Sequence, residues 1–267
     1  MTNNNQKISF IIPAYNCADT IVESIESIFN GNFEDGDEVI IINDASTDKT
    51  LEVINSLQKK YPIIKALSHN INKGSAAAGR NTGIDCSKND LIFCLDSDNV
   101  LAPNAVPILK KYMLEQKADI ATFGEIHFFK SDIGKITHKW IYKDNQIELK
   151  DALAGYKWPG PSGNYLFTKR SWFNAGRQNE SVGGAYDSLV FGIKQLATGS
   201  KMITMKNSFY YHRAGHESAF IRDKDKIKAS LIVLSVLINF LDLIEEDDVD
   251  YIMSKEHRYS WFDDLEK

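Results

Sequence analysis

Two carboxylates follow an apolar strand near the middle of the chain. The run Leu91-Ile-Phe-Cys-Leu95 precedes Asp96-Ser-Asp98. Successive side chains of an extended segment point to opposite faces, so both carboxylates should project to one side, roughly 6.5 Å apart. Mg²⁺ is typically bound by one or two carboxylates with substrate phosphates and water, and Mn²⁺ accepts the same ligands. The pattern predicts a divalent metal site, and a solvated turn is the alternative.

The residues before this pair alternate between strand and helix. We predict strands at 8–13, 39–42 and 64–67 and helices at 20–30, 48–60 and 74–86. Thr20-x-x-Glu23 has the pattern of a capping box at the start of the first helix. The alternation indicates βαβ units, so the predicted fold class is α/β, with a mostly parallel sheet flanked by helices.

An aromatic, acidic or basic residue follows each strand or lies in the next helix, as Tyr15, Asp44, Arg80 and Asp96 do. Ligands of such sheets bind at the carboxyl ends of the strands. A ring for a base, a carboxylate for base or ribose, and a cation for phosphate together suit a nucleotide. Taken singly, Tyr15 could be a rim aromatic, Asp44 part of a turn, and Arg80 a solvated helix residue.

Four segments, in this order, resemble the successive motifs of family-2 glycosyltransferases with the GT-A fold, over residues 7–115. They are Phe10-Ile-Ile-Pro-Ala-Tyr-Asn16, Ile42-Asn-Asp-Ala-Ser-Thr-Asp48, Asn72-Lys-Gly-Ser-Ala-Ala-Ala-Gly-Arg-Asn-Thr-Gly83 and Leu95-Asp-Ser-Asp98. The resemblance implies an inverting transferase that uses a nucleoside-diphosphate sugar, with UDP the expected nucleotide, and Mn²⁺ or Mg²⁺ as cofactor. The donor-binding residues that it implies are Pro13, Ala14, Tyr15, Asp44, Gly74, Arg80, Asp96 and Ser97, with Asp98 as metal ligand. Asn43 departs from the family, which often has an aspartate there.

The second half, residues 116–222, is the expected acceptor-binding half of a domain spanning 1–222. A helix is predicted over 103–116, with Pro107 shifting its start or kinking it. A hairpin is predicted over 119–142. The loop at 155–163 has the composition of an acceptor site, with Trp158 and Ser162 as candidates, because an aromatic face packs against a pyranose. A turn anchored by the tryptophan is the alternative.

Asp187 precedes an apolar helix that ends near Gly199. It is suited to cap that helix. Family members usually have Glu-Asp at the matching place, with one carboxylate as general base. Because this chain has Tyr186-Asp187-Ser188, the resemblance assigns the base to Asp187. It also matches His216 to a histidine that would complete the metal shell opposite Asp98, although a polar residue at the rim would fit the sequence as well.

Residues 223–267 are expected to form a C-terminal helical extension. Residues 229–241 are apolar nearly all round, but this stretch is shorter than the roughly 20 residues that span a membrane. A buried helix, a homodimer contact through 225–244 and a peripheral membrane contact remain open.

The composition narrows the choice of partners and compartment. A net charge of -5 and a pI near 5.7 argue against a nucleic-acid partner. Three cysteines without a Cys-x-x-Cys pair and a polar start predict a cytoplasmic protein without a signal peptide, with the inner membrane face as a possible site of contact.

The expected function is sugar transfer to a glycan, lipid-linked or protein acceptor, in the synthesis of a surface polysaccharide, glycolipid or glycoprotein glycan. A haloacid-dehalogenase-type phosphatase is one alternative, because Asp96-Ser-Asp-Asn-Val100 matches its nucleophile motif, although that motif normally follows the first strand. A non-catalytic nucleotide-sugar- or carbohydrate-binding protein is the other, because only one acid is present at Asp187.

Overall fold

The structure is a computed structural model that describes residues 6–142, 145–149, 152, 163–182, 187–215 and the single positions 236, 238, 239 and 246. The elements are β1 Ile8–Ala14, α1 Ile21–Phe29, β2 Glu38–Asn43, α2 Thr50–Lys60, β3 Ile64–Ser68, α3 Ala76–Asp85, β4 Leu91–Cys94, β5 Val100–Leu101, α4 Ala105–Glu115, β6 Ile120–Phe129, β7 Ile136–Ile141, β8 Gln146–Ile147, β9 Leu166–Thr168, α5 Lys169–Asn174, α6 Asp187–Ala197 and β10 Met202–Arg213. The strands and helices predicted over residues 8–86 are confirmed.

In the described part of the chain, ten strands form one sheet in the order β3-β2-β1-β4-β9-β6-β10-β5, with β7 beside β6 and β8 beside β10. Strands β1 to β4 are parallel to one another. Strand β9 is antiparallel to both β4 and β6, so β6 and its parallel neighbour β10 run in the same direction as the first four strands. The predicted hairpin is the antiparallel pair of β6 and β7. The α/β class and the mostly parallel sheet are confirmed.

The sheet is buried between two apolar layers. Strand β2, Glu38–Asn43, is buried at every position, as its β-branched run predicts. Phe10 and Ile12 of β1 face the layer that contains α1, α2 and α4. Ile11 faces the opposite layer, which contains α3, α5 and α6. The carboxyl ends of the central strands therefore emerge between two sets of helices.

Helix α3 approaches strand β1 closely because it has glycines on the contacting face. A Cβ at Gly79 would lie 3.0 Å from Cβ of Pro13, and one at Gly83 would lie 2.5 Å from Cγ2 of Ile11. Side chains at these two positions would push the helix off the sheet. The close packing carries Arg80, the next residue after Gly79, to the carboxyl end of β1.

Two predictions from local sequence patterns concern the starts of α1 and α4. The predicted capping box is wrong, because the side chain of Thr20 makes no capping hydrogen bond to α1, and Glu23 instead pairs with Arg213. Helix α4 begins at Ala105, so Pro107 lies in the first turn, where a missing N–H is tolerated. The helix therefore starts later than predicted, which is one of the two effects expected of Pro107.

Several predictions lie outside the described residues. They concern the loop with Trp158 and Ser162, His216, and the C-terminal helix over 229–241. Among the described residues, no helix has both the length and the apolar character needed to cross a membrane.

Candidate active site

The Asp96–Asp98 segment forms a turn after β4. The backbone N–H of Asn99 donates to the carbonyl of Asp96 at 3.1 Å, and the strand itself ends at Cys94. The expectation that both carboxylates project from one face of an extended segment is therefore wrong. The sequence Asp96-Ser-Asp-Asn99 favours such a turn, which was the alternative to the extended arrangement.

The carboxylate of Asp96 is held by three side chains. Its Oδ1 accepts a hydrogen bond from Arg80 Nη2 at 2.7 Å. Its Oδ2 accepts from Asn164 Nδ2 at 2.9 Å and from Asn99 Nδ2 at 3.3 Å. Asn164 also accepts from the backbone N–H of Asp96 at 2.8 Å. Asp96 thus has a fixed orientation, set partly by a residue just before β9.

Arg80 joins Asp96 to the candidate general base. Its Nη1 donates to Asp187 Oδ2 at 2.8 Å and to Gln178 Oε1 at 3.3 Å. The residue is only 4% exposed. Burial opposes its charge, but Asp187 and Asp96 raise the pKa of Arg80 above its ordinary value, so the guanidinium is charged. The structure places Arg80 between two carboxylates, and a direct contact of Arg80 with a donor stays a prediction.

Asp187 is the first residue of α6 and is buried. Its Oδ1 accepts from the backbone N–H of Ser188 at 2.7 Å and from the Ser188 hydroxyl at 3.3 Å. Burial raises the pKa of Asp187 above its ordinary value, the guanidinium of Arg80 opposes that rise, and the charge of Asp96 adds to it. A carboxylate with a raised pKa is a stronger proton acceptor, which is the property that a general base needs.

Arg80, Asp96, Asp187 and Ser188 form a group that we call the Arg80 cluster, and Gly163 packs closely against it. Gly163 has φ +78°, and a Cβ there would lie 2.9 Å from Ser188 Oγ and 3.2 Å from Arg80 Nη2. Only glycine combines this backbone conformation with so close an approach. The backbone before β9 therefore packs directly on the Arg80 cluster.

Asp44 lies at the carboxyl end of β2 and is held by the segment after β3. Its Oδ1 lies 2.6 Å from His69 Nδ1, and both of its oxygens accept from the backbone N–H of Lys73 at 3.0 Å. The other ring nitrogen of His69 lies 3.0 Å from Thr82 Oγ1 of α3. Asn72 Nδ2 donates to the carbonyl of Asp44 at 3.1 Å. Asp44 is thus oriented from both β3 and α3.

The other residues predicted to bind the sugar donor lie at the ends of β1 and β4 and before α3. Pro13 and Ala14 end β1, and the carbonyl of Ala14 accepts from the N–H of Asp44 at 2.8 Å. Tyr15 is 44% exposed, as a ring that stacks on a base must be. Gly74 has φ +76° and precedes α3, and Ser97 lies in the turn between Asp96 and Asp98. The structure brings the strand ends together, and the individual roles of these residues stay predictions.

Asn81 connects the two halves of the domain and was not identified as a site residue. Its Nδ2 donates to the carbonyl of Gln178 at 2.9 Å and to Glu180 Oε1 at 2.8 Å, and its Oδ1 accepts from Trp172 Nε1 at 3.1 Å. Its place directly after Arg80 in the third motif was the available signal. Gln178, Asn164 and Arg213 also contact this site, and the four motifs include none of them.

The metal prediction can be compared with the side chains that could act as metal ligands. In the part of the chain that the structure describes, no three His, Cys, Asp or Glu side chains converge on one point. The family resemblance assigns the cation to Asp98, the second carboxylate of this turn, and both oxygens of Asp96 accept hydrogen bonds. One carboxylate with diphosphate oxygens and water is an ordinary coordination set for Mg²⁺. The residues therefore fit a metal that arrives with its nucleotide.

The chain belongs to Glycosyl transferase family 2, whose profile matches residues 9–176. The hyaluronan synthase of Pasteurella multocida is 30% identical over 274 residues, which cover 94% of this chain and 26% of the synthase. A GalNAc(5)-diNAcBac-PP-undecaprenol β-1,3-glucosyltransferase of Campylobacter jejuni is 28% identical over 256 residues, which cover 95% of this chain and 78% of that protein. The chain thus spans about a quarter of the length of the synthase.

Two solved structures share the fold. TarS 1–349 of S. aureus in complex with UDP-GlcNAc has a TM-score of 0.72 and 16% identity, with 92% of this chain and 70% of that chain covered. The mannosyltransferase PcManGT of Pyrobaculum calidifontis, in complex with GDP-Man and Mn²⁺, has a TM-score of 0.64 and 17% identity, with 91% and 66% covered. The GT-A fold expected from the four motifs is confirmed. Family membership also removes the reason to consider a haloacid-dehalogenase-type phosphatase.

Proposed function

We propose that the protein is a metal-dependent, inverting glycosyltransferase that moves a sugar from a nucleoside-diphosphate sugar, with UDP as the nucleotide, to an acceptor hydroxyl. The observation that carries the proposal is the bridge of Arg80 between Asp96 and Asp187. It joins the turn assigned to the donor and metal to the carboxylate assigned as general base. This bridge supports the proposal because the residues assigned to the two ends of the transfer contact one buried guanidinium.

In this proposal Asp187 takes the proton of the acceptor hydroxyl as the oxygen attacks the anomeric carbon. The C–O bond to the nucleotide breaks as the new glycosidic bond forms, and one displacement inverts the configuration. Among the described residues, Asp187 Oδ1 accepts two hydrogen bonds and Oδ2 accepts one from Arg80. A carboxylate offers about four acceptor positions, so Oδ2 retains one for the hydroxyl.

The donor is bound by the residues at the ends of β1, β2 and β4. Asp44 accepts an N–H of the base, Tyr15 offers its exposed ring, and Pro13, Ala14, Gly74, Asp96 and Ser97 line the rest of the donor site. Asp98 and His216 would be the protein ligands of Mn²⁺ or Mg²⁺. When bound, the metal neutralises the diphosphate that leaves.

The names of two relatives support the choice of acceptor class. One of them is named for hyaluronan synthesis and another for transfer to an undecaprenol-linked saccharide. A glycan or a lipid-linked saccharide is accordingly the proposed acceptor, with Trp158 and Ser162 beside it. The cytoplasmic location and the helical extension over 223–267 belong to the same proposal. A membrane contact or a homodimer contact through 225–244 is also part of the proposal.

The test is a donor screen with purified protein. UDP-glucose, UDP-GlcNAc, UDP-glucuronate and GDP-mannose are each incubated with Mn²⁺ and a panel of oligosaccharide and lipid-linked acceptors, and mass spectrometry detects the elongated product. Transfer from a UDP-sugar that Asp187→Asn loses supports the proposal. Transfer only from GDP-mannose would overturn the choice of nucleotide.

A non-catalytic binding protein is the remaining alternative, because the chain has one acid where the family usually has two. It predicts calorimetric binding of a nucleotide sugar with neither transfer nor hydrolysis of any donor. Hydrolysis of one donor by water, lost in Asp98→Asn, would be enough to reject this alternative.

A further inference from the structure

A second arginine holds the turn that contains Asp98. Arg213 is the last residue of β10, and its Nε donates to the carbonyl of Asp98 at 3.1 Å. Its backbone N–H donates to Asn99 Oδ1 at 3.0 Å, and its Nη1 donates to the carbonyl of Lys130 at 3.0 Å. One residue thus ties the turn after β4 to the end of β6.

The guanidinium of Arg213 also contacts α1 and the end of β6. Its Nη2 pairs with Glu23 of α1, and its Cζ lies 4.5 Å from the centre of the Phe129 ring. The side chain of Arg213 is 11% exposed, and that of Glu23 is 42% exposed. A planar guanidinium donates in several fixed directions at once, which a lysine ammonium on a flexible stem does not reproduce.

The contacts of Arg213 extend to the other carboxylate of the turn through Asn99. The Oδ1 of Asn99 accepts from the backbone of Arg213, and its Nδ2 donates to Asp96 Oδ2 at 3.3 Å. Strand β10 therefore positions the backbone of Asp98 directly and the carboxylate of Asp96 through one side chain. Arg80 holds the same Asp96 from α3.

We propose that Arg213 is a positioning residue for the metal that accompanies the nucleotide. It fixes the backbone at Asp98, and so the place from which the Asp98 carboxylate reaches the cation. The inference rests on the proposed function, because it takes Asp98 to be the metal ligand. Partners that orient a metal ligand typically contribute about 10–100-fold to metal affinity.

The experiment measures nucleotide binding, so it needs no acceptor and no turnover. Calorimetry gives the affinity for UDP with Mn²⁺ and with EDTA, and the ratio of the two is the metal-dependent gain. Arg213→Lys should lose about 10-fold or more of this gain, while its UDP affinity in EDTA stays that of the parent. Asp98→Asn gives the value expected for complete loss.

Arg177→Lys is the matched control. Arg177 also pairs with a carboxylate, that of Asp85, and also lies over an aromatic ring, that of Trp172 at 5.1 Å. It contacts neither Asp96 nor Asp98 in any described hydrogen bond, so this variant should keep the full gain. Thermal unfolding in the absence of ligand checks that each variant is folded.

The possible results separate two failures. If the parent binds UDP equally with Mn²⁺ and with EDTA, the metal part of the proposed function fails and the role of Arg213 fails with it. If the parent shows the gain and a folded Arg213→Lys keeps it, only the role of Arg213 is overturned. If Arg213→Lys does not fold, Glu23→Gln decides: it weakens one contact of the guanidinium and should lose part of the gain, and full retention overturns the inference.

Discussion

The carboxylate of Asp187 lies 2.8 Å from Nη1 of Arg80, and Nη2 of the same guanidinium lies 2.7 Å from Asp96. Arg80 and Asp96 belong to the half of the chain assigned to the donor, whereas Asp187 belongs to the half assigned to the acceptor. Two negative charges are thereby held near each other by one cation that is 4% exposed. The relative position of the two carboxylates in the candidate site therefore depends on this arginine.

Arg80→Lys should therefore destabilise the protein as well as slow transfer. A lysine retains the charge, but one ammonium cannot reproduce the two directed bonds. Loss of a buried hydrogen bond to a charged group should lower the free energy of unfolding by about 1.5–3 kcal/mol, measured by urea denaturation. Arg170→Lys is the control, because Arg170 is exposed in its pair with Asp119 and its replacement should cost less than about 0.5 kcal/mol. Equal effects of the two changes would contradict the importance of the bridge.

The first half of the fold could be predicted because its signals are local. The β-branched run of β2 and the apolar stripes of α1 and α2 determine their own structure. The partners of Asp96 and Glu23 could not be predicted, because Arg80, Asn164 and Arg213 reach them from distant parts of the chain. The error in the capping box has this cause, since Glu23 pairs with Arg213. The assignment of Asp187 as the base came from a family resemblance and not from a local pattern.

Gly163→Ala should disturb the Arg80 cluster by contact and not only by backbone strain. A Cβ there would meet Ser188 Oγ at 2.9 Å and Arg80 Nη2 at 3.2 Å. Gly199→Ala is a matched control, because Gly199 has φ +84° and a Cβ there would meet nothing within 4 Å. Both changes should cost about 1 kcal/mol for the positive φ, and Gly163→Ala should cost at least another 1 kcal/mol and reduce transfer. Equal losses of unfolding free energy would show that the close packing at Gly163 contributes nothing.

His69→Phe should weaken UDP binding without changing its response to metal. The ring of His69 lies between Asp44 Oδ1 and Thr82 Oγ1, and phenylalanine fills a similar volume without donating to the carboxylate. A lost hydrogen bond to a charged group corresponds to roughly tenfold in affinity if Asp44 binds the base. Calorimetry in EDTA measures this loss, with His138→Phe as the control, since His138 stacks on Phe128 on β6. Unchanged affinity would show that His69 does not orient a base-binding Asp44.

The pH dependence of transfer should follow the protonation of Asp187. The base works only when deprotonated, so kcat/KM should fall as the pH is lowered through the pKa of Asp187. Because burial raises this pKa, the midpoint of the acid limb should lie above the ordinary value of 3.8. The charge of Arg80 opposes the rise, so Arg80→Gln, which removes that charge, should move the midpoint to higher pH. An acid limb at or below 3.8 would contradict the environment described for this carboxylate.

Asp187→Asn tests the base itself. Asparagine keeps the size of aspartate and can still accept the hydrogen bond from the backbone N–H of Ser188, but it cannot take a proton at neutral pH. Transfer should fall by about 10²–10⁴-fold, while UDP affinity with Mn²⁺, measured by calorimetry, should stay that of the parent. Slow hydrolysis of the donor by water should survive, because the donor is activated from the metal side. Transfer at the parental rate would place the base elsewhere, with Glu180 and Asp151 the next candidates, and loss of UDP binding would mean that Asp187 acts only through its bond to Arg80.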